Sequence, residues 1–526
     1  MLRDEVRARD WTRDSVRFYT PSAPSKGEPN VVDFDDRVVI NEIMYHAPPS
    51  YIGSDDPESA FVENDEEWIE LYNRSNESID LEGWSIREGL AFEFEAGAVL
   101  PPNGFLVVAK QAESLRQTYP DVAVVGEFEG TLGNQSDRLE LRDASGNPVD
   151  QVRYYDGRPW PDLADAGGSS LELRHPDLDN AVAGAWAASD ETRKSEWRRY
   201  SYRATAIRPT YTAGVRNFHE LRVGMIQAGS CLIDNVSVKQ DPDGGGRELL
   251  KNRTFGSLFA PITSGNWQLI GTHEDSEAID DPEAGSVLKI VADGPMNYLN
   301  NLCEANLNAP VETGLEYEIS FDARWLGGSP QLRTEIYYNK LAKTTILDVP
   351  EALGTPGRRN SRWDPTPGPV YSGLVHSPAV PEADEAVTVS VDVLEAGSLE
   401  EVRLFYSVDE ADWQSIAMTG AGGPRFEGVI PGQANRTVVQ FYVEARNGAG
   451  GVSLHPTDGP DSGAFVKFET PVGSDRRQVL RLITRDSDAV RIHASDNILS
   501  NRRHDCTTIV NETEIHYDCG VRLRGS

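Results

Sequence analysis

Short runs that alternate apolar and polar residues, each closed by Gly, Pro, Asn or Asp, dominate this chain. RVVINEIMY, EWIELYN, GFLVVAK, DRLELRD and PVDQVRYYD are examples, recurring at intervals of about 10–15 residues. A period of two puts successive side chains on opposite faces of a strand, and a strand with one apolar face must pair and pack. The pattern predicts an all-β chain built as tandem β-sandwiches. The 46 Gly and 32 Pro serve the turns. Helical periodicity is scarce. The fair case is QAESLRQTYP, with Ala112, Leu115 and Tyr119 on one face and Pro120 as its stop.

A chain of 526 residues is too long for one core, and at about 100–200 residues per domain it predicts roughly three to five units. Residues 1–36 read as a leader or the end of a preceding domain. Residues 37–190 form a first sandwich, expected to fold alone. Residues 195–346 form a second, richer in Trp and Asn, and 347–369 are a Pro-rich linker. Residues 370–470 form a third sandwich, and 471–526 open a further unit.

The charge balance, 50 − 84 = −34, argues against a nucleic-acid binder and against docking on anionic lipid. Nine of the 50 basic residues are Lys and the remaining 41 Arg, which suits either solubility in salty water or a GC-rich coding sequence. No apolar run reaches the roughly 18 residues that a membrane span needs. The first 19 residues hold no apolar core of a secretory signal.

Four stretches resemble known families. INEIMYH, EEWIELYNRSNESIDLEGWSI, LPPNGFLVVAK, GTLGNQSDRLELRDASGNPVDQVRY and GGSSLEL follow the order of a bacterial lamin-tail domain. That resemblance implies an immunoglobulin-like sandwich that binds partners or positions neighbours, without catalysis. WTRDSVRFYTPSAPSKGEPN and, later, GTPGRRNS (354–361) are similar to the exit of such a domain. The second segment resembles a carbohydrate-binding jelly roll in shuffled order, since SCLIDNVSVKQ, the family's closing strand, precedes ELLKNRTF, its opening one. It is either one permuted domain or two incomplete sandwiches in series. VTVSVDV, EVRLFYSVD and TVVQFYVEARNGAG resemble a fibronectin-type domain, with Tyr442 in a tyrosine-corner-like position. The run from VLRLITRD to VRLRGS (Val521 to Ser526) resembles the opening of a CotH-type kinase domain. Completed, such a domain implies ATP and magnesium. The acids that hold the metal lie beyond Ser526 in that family, and Arg522 and Arg524 would face phosphate or solvent.

Together the resemblances imply an accessory binding and scaffolding region of a secreted or surface bacterial protein. Its expected partner is a polysaccharide or a cell-surface protein. The N-terminal part of an atypical kinase is the alternative. No H-E-x-x-H, G-x-S-x-G or Walker A signature occurs, so no catalytic residue is assigned. The carbohydrate-binding candidates are Trp267, Trp325, Tyr337 and Tyr338, because an aromatic face stacks on sugar C–H surface. A strand Trp in a sandwich is more often core, and adjacent Tyr337 and Tyr338 must point to opposite faces. Acidic turns at 54–59, 240–248 and 279–285 are candidate seats for structural calcium, or simply solvated loops. Cys506 and Cys519 flank a predicted hairpin turning near Asn511 and Glu512. They are a disulfide pair in an oxidising compartment or two free thiols.

Overall fold

Strand Trp68–Asn73 is buried along nearly its whole length, which a sandwich with one wet face would not allow. The computed structural model describes residues 34–51, 61–207, 218–255, 267–296, 300–336, 341–394, 398–472, 478–495 and 497–523. In it, this strand joins Val38–Met44, Phe105–Ala109, Val124–Glu127, Leu171–Leu173 and Trp186–Ala188 in a six-stranded sheet. Ile43, Ile69, Leu71 and Val108 point inward and meet Trp84, Ile86, Leu139 and Val152 of the facing five-stranded layer. The outer face presents Met44, Trp68, Val107 and Ala109, and these belong to a second core. The alternation at EWIELYN is imperfect for this reason: a sheet covered on both sides has no solvent-facing side.

That second core is the core of the second sandwich. One of its sheets holds Arg198–Thr205, Gly229–Gln240, Glu277–Asp281, Gly285–Ala292 and Glu316–Gly328. The other holds Glu220–Met225, Trp267–Ile270, Leu302–Asn306, Gln331–Ile336 and Lys343–Ile346. Each sheet draws strands from most of the segment, so it is one sandwich and not two in series. The strand expected to close the fold, Gly229–Gln240, lies centrally, between Gly285–Ala292 and Glu316–Gly328.

The expectation of a plain Pro-rich linker over 347–369 needs correcting. Its latter part returns to the first sandwich. The Thr355 N–H donates to Glu42 at 2.7 Å, the Asn360 side chain to the Leu173 carbonyl at 2.9 Å, and the Asp364 N–H to the Arg174 carbonyl at 2.9 Å. The second sandwich is thus inserted into the first. The chain leaves after Trp186–Ala188 and comes back as a strap over residues 353–364.

The third sandwich packs Val370–Ser377, Val387–Leu394, Arg425–Ile430 and Thr419–Gly422 against a sheet built on Leu399–Val408 and Val438–Asn447. Its Val370 and Leu394 reach the core of the first. Beyond it stand a three-stranded sheet, Leu480–Ile483, His504–Val510 and Glu514–Val521, and a helix, Asp486–Ile492. Ile483 and Ile509 pack on Val380 and Phe465. Arg491 pairs with Glu274 at 2.9 Å and Arg502 with Asp275 at 3.0 Å, which joins this end to the second sandwich. The helix predicted near QAESLRQTYP spans Ala112–Thr118 and buries Ala112 and Leu115. Among the described residues no helix is long and apolar enough to cross a membrane.

Candidate functional site

The two strand tryptophans are core residues, which removes them as stacking platforms. Trp267 is 5% exposed, lies against Phe255 with ring centroids 5.2 Å apart and donates its indole N–H to the Asn252 carbonyl at 3.1 Å. Trp325 is 1% exposed and donates to the Gly328 carbonyl at 3.0 Å. Its ring sits at the junction with the first sandwich. Gly168 there has φ +91°, and a Cβ on it would fall 2.5 Å from the Trp325 ring. A ring sealed on both faces has none to offer a sugar. Tyr337 and Tyr338 lie outside the described residues.

The remaining predicted positions separate as follows. Cys506 and Cys519 are paired directly across the last hairpin, and both are free thiols. Burial pushes the Cys506 thiol up to about 11. The turn comes at Asn511 and Glu512, both with positive φ. The run at 54–59 lies outside the described residues. In 279–285, Asp281 uses Oδ1 to accept from the Glu283 and Ala284 N–H groups at 3.0 Å and Oδ2 to bind Arg324 at 2.8 Å. In 240–248, Asp241 caps its own loop and Asp243 pairs with Arg203 at 2.8 Å. Among the described residues no group of three or more His, Cys, Asp or Glu is placed to hold a metal ion. Tyr442 does not form a corner. It stacks flat on Phe405 at 4.9 Å with Trp413 edge-on at 4.9 Å, a trio on the outer face of the third sandwich.

Sequence reasoning missed the feature that organises the first two sandwiches. Glu42, Glu70 and Glu172 are fully buried on adjacent strands and stand side by side on the outer face of the six-stranded sheet. The strap covers them and supplies their donors. Glu70 accepts from the Gly357 N–H, and Glu172 accepts from the Ser361 and Arg362 N–H groups at 3.0 and 2.8 Å. The Thr355 hydroxyl lies 2.6 Å from Glu172 Oε1 and 3.1 Å from Glu42 Oε2. A hydroxyl has one hydrogen, so it donates to one carboxyl and accepts from the other. Burial first, and the Glu172 charge second, push Glu42 up to about 8. Burial raises Glu70 as well, so the cluster favours a proton on one of its carboxyls, and the Thr355 hydroxyl bridges Glu42 and Glu172. Gly354 (φ +75°) begins the strap where a Cβ would meet Glu42 and Trp68 within 2.9 Å.

Immediately upstream of the strap, residues 346–353 form one wall of a cleft of about 730 Å3 between the two sandwiches. The other wall comes from the first sandwich, from the end of Ala47–Tyr51 and from the helix Ala112–Thr118. Three half-buried tyrosines line it: Tyr51, Tyr119 and Tyr200. Two of them are fixed by their hydroxyls. Tyr119 donates to the Leu353 carbonyl, and Tyr200 accepts from the Asp348 N–H at 2.9 Å. Glu66, Asp348 and Glu351 bring carboxylates, and the Arg198 guanidinium is 2.7 Å from Asp348.

No curated protein sequence matches the chain at a significant level. Among solved structures, BhCBM56 is 12% identical, covering 20% of this chain and 94% of its own, with a TM-score of 0.14. A DUF4785 family protein from Legionella pneumophila is 9% identical over 60% of this chain and 68% of its own, TM-score 0.14. A β-1,2-glucanase from Parabacteroides distasonis is 8% identical over 83% of this chain and 40% of its own, TM-score 0.14. Likenesses of that size carry no argument about ligand. The family match lies in the first sandwich, whose order of strands and turns is the one the sequence displays: residues 35–156 match the family model of the Lamin Tail Domain.

Proposed function

We propose that this chain is a binding and scaffolding region acting outside the cell, which holds a polymeric ligand, a glycan or a cell-surface protein, on a rigid frame. One observation carries the reading: a single apolar core runs from Met44, Trp68 and Leu115 of the first sandwich into Leu221, Ile290 and Phe321 of the second. Independent domains joined by a linker are expected to move relative to one another. Sandwiches that share a core and are clamped by a buried strap present fixed surfaces, which is what a scaffold supplies.

Small-angle X-ray scattering on the intact chain tests the frame. A profile that fits the structure in both low and high salt supports it. A profile requiring the first and second sandwiches to sample many separations overturns it. Saturable retention of the intact chain on polysaccharide gels or on immobilised surface protein tests the binding half of the reading.

A further inference from the structure

We propose that the cleft between the first and second sandwiches is a ligand site, and that its ligand is a neutral, hydroxyl-rich glycan chain. The proposal rests on the binding reading above and assigns it a place. A volume of about 730 Å3 lies within the range of small-ligand clefts, which favour junctions between domains. The site is built before any ligand arrives. Tyr51, Tyr119 and Tyr200 come from three separate segments, and the Tyr119 and Tyr200 rings are held by hydrogen bonds at their hydroxyls. Fixed rings lose little rotamer freedom when something stacks on them.

The ligand class follows from the balance of donors and acceptors. The lining carboxylates are Glu66, Asp348 and Glu351 and the lining cation is Arg198, a sum of 1 − 3 = −2. Arg198 is already held by Asp348 at 2.7 Å, and Tyr119 spends its proton on the Leu353 carbonyl. The three carboxylates leave the cleft net negative and call for a ligand that brings donors, while Ser50, Asn64, Thr118 and the Tyr200 hydroxyl can also donate. A polyanion is repelled. A proline-rich peptide also suits an aromatic groove, but it brings carbonyl acceptors and lacks an N–H at every Pro. A neutral sugar brings hydroxyl donors for the carboxylates and C–H faces for the rings, and Pro48 and Pro330 add flat apolar wall.

The test is affinity electrophoresis of the intact chain through gels holding hydroxyethyl cellulose, amylose or a linear β-1,3-glucan. Polygalacturonate serves as the acidic polymer, and a proline-rich peptide is titrated by calorimetry. Tyr51→Ala, and Ser50→Trp to fill the cleft from an exposed position, are the site variants. Trp413→Ala, in the aromatic trio of the third sandwich, is the control. Melting curves establish that each variant is folded. The expected result is retardation by at least one neutral polymer, weakened about tenfold by either cleft variant and unchanged by Trp413→Ala. Retardation lost in Trp413→Ala but kept in both cleft variants leaves the binding reading standing and overturns the cleft as its seat. Tighter binding of the peptide or of polygalacturonate overturns the ligand class. Retardation by none of the neutral polymers overturns the proposal, while saturable retention on a surface protein would still uphold the broader reading.

Discussion

Trp325 shows how sequence can leave the role of a single ring open and what its burial implies. In ARWLGG it is flanked by Arg and Leu, a context that suits a sugar platform and a core alike. Only the approach of Gly168 from another sandwich decides between them, and a contact between residues so far apart in the chain leaves no local trace. Trp325→Ala is expected to lower stability by about 3–5 kcal/mol, the usual cost of deleting a core aromatic, read by thermal or urea unfolding. A change below about 0.5 kcal/mol would return the ring to the surface. Glu42 permits a prediction in pH. Its folded pKa of about 8 lies well above the ordinary carboxyl value of 4.5, so the folded chain binds the extra proton. Its contribution is complete below the ordinary value, declines as pH rises, and is lost once pH passes about 8. Around it stand Glu70 and Glu172 on neighbouring strands, Glu191 with Lys194 at 2.8 Å, and the Tyr119 hydroxyl. Glu70 is also raised, chiefly by burial, and shifts in the same direction. Glu42→Gln keeps a neutral group that can donate to Thr355. The variant should melt at least as high as the parent near pH 8, with a flatter dependence from about pH 5 to about pH 9. An unchanged slope would show that Glu42 is not the titrating group.

At the scale of elements, the strap is where sequence reading stopped short. GTPGRRNS carries a resemblance to a lamin-tail exit, yet it stands after the whole second sandwich and so read as part of a spacer. A hydrophobic period reports what an element buries, not which distant sheet receives it. The local signals were Glu42, Glu70 and Glu172 on largely apolar strands, and a charged residue fully buried needs partners. By contrast the strands, the short helix and the last hairpin were legible, because each depends on residues a few positions apart. Thr355→Val keeps the shape of the strap's bridging side chain and removes its hydroxyl. That leaves Glu42 and Glu172 facing each other without their shared partner, at a cost of about 1–3 kcal/mol, measured by unfolding and compared with Glu42→Gln alone. The hairpin gives a second test. Cys506 and Cys519 are cross-strand partners, so oxidation with a glutathione redox buffer should join them with the loss of two hydrogens, detected as a Cys506–Cys519 peptide by mass spectrometry. Cys231 and Cys303, buried with thiols pushed far above the ordinary range or up to about 12, should stay reduced. A Cys506 that remains alkylatable after prolonged oxidation would show that the strand geometry forbids the bond.

The whole molecule behaves as one assembly in which the first sandwich depends on what is inserted into it. Residues 37–190 hold both sheets of that sandwich and its inner core, which is why the sequence alone suggests an independent unit. Its outer face tells otherwise. Met44, Trp68, Val107, Ala109 and Leu115 are buried by the second sandwich, and Glu42, Glu70 and Glu172 by the strap. Cutting the chain at residue 190 removes both covers at once. It exposes a contiguous apolar patch of the kind that drives association and strips the backbone donors from three carboxyls. The excised 37–190 piece is therefore expected to unfold at lower temperature than the intact chain, and to bind a hydrophobic dye or self-associate in light scattering. A longer piece, residues 34–369, retains the inserted sandwich and the strap and should melt in one cooperative transition close to that of the same region in the intact chain. If the short piece melts cooperatively at the temperature of the long one, the inserted sandwich and strap add nothing to the first, and the shared core is only a contact surface between two self-sufficient domains.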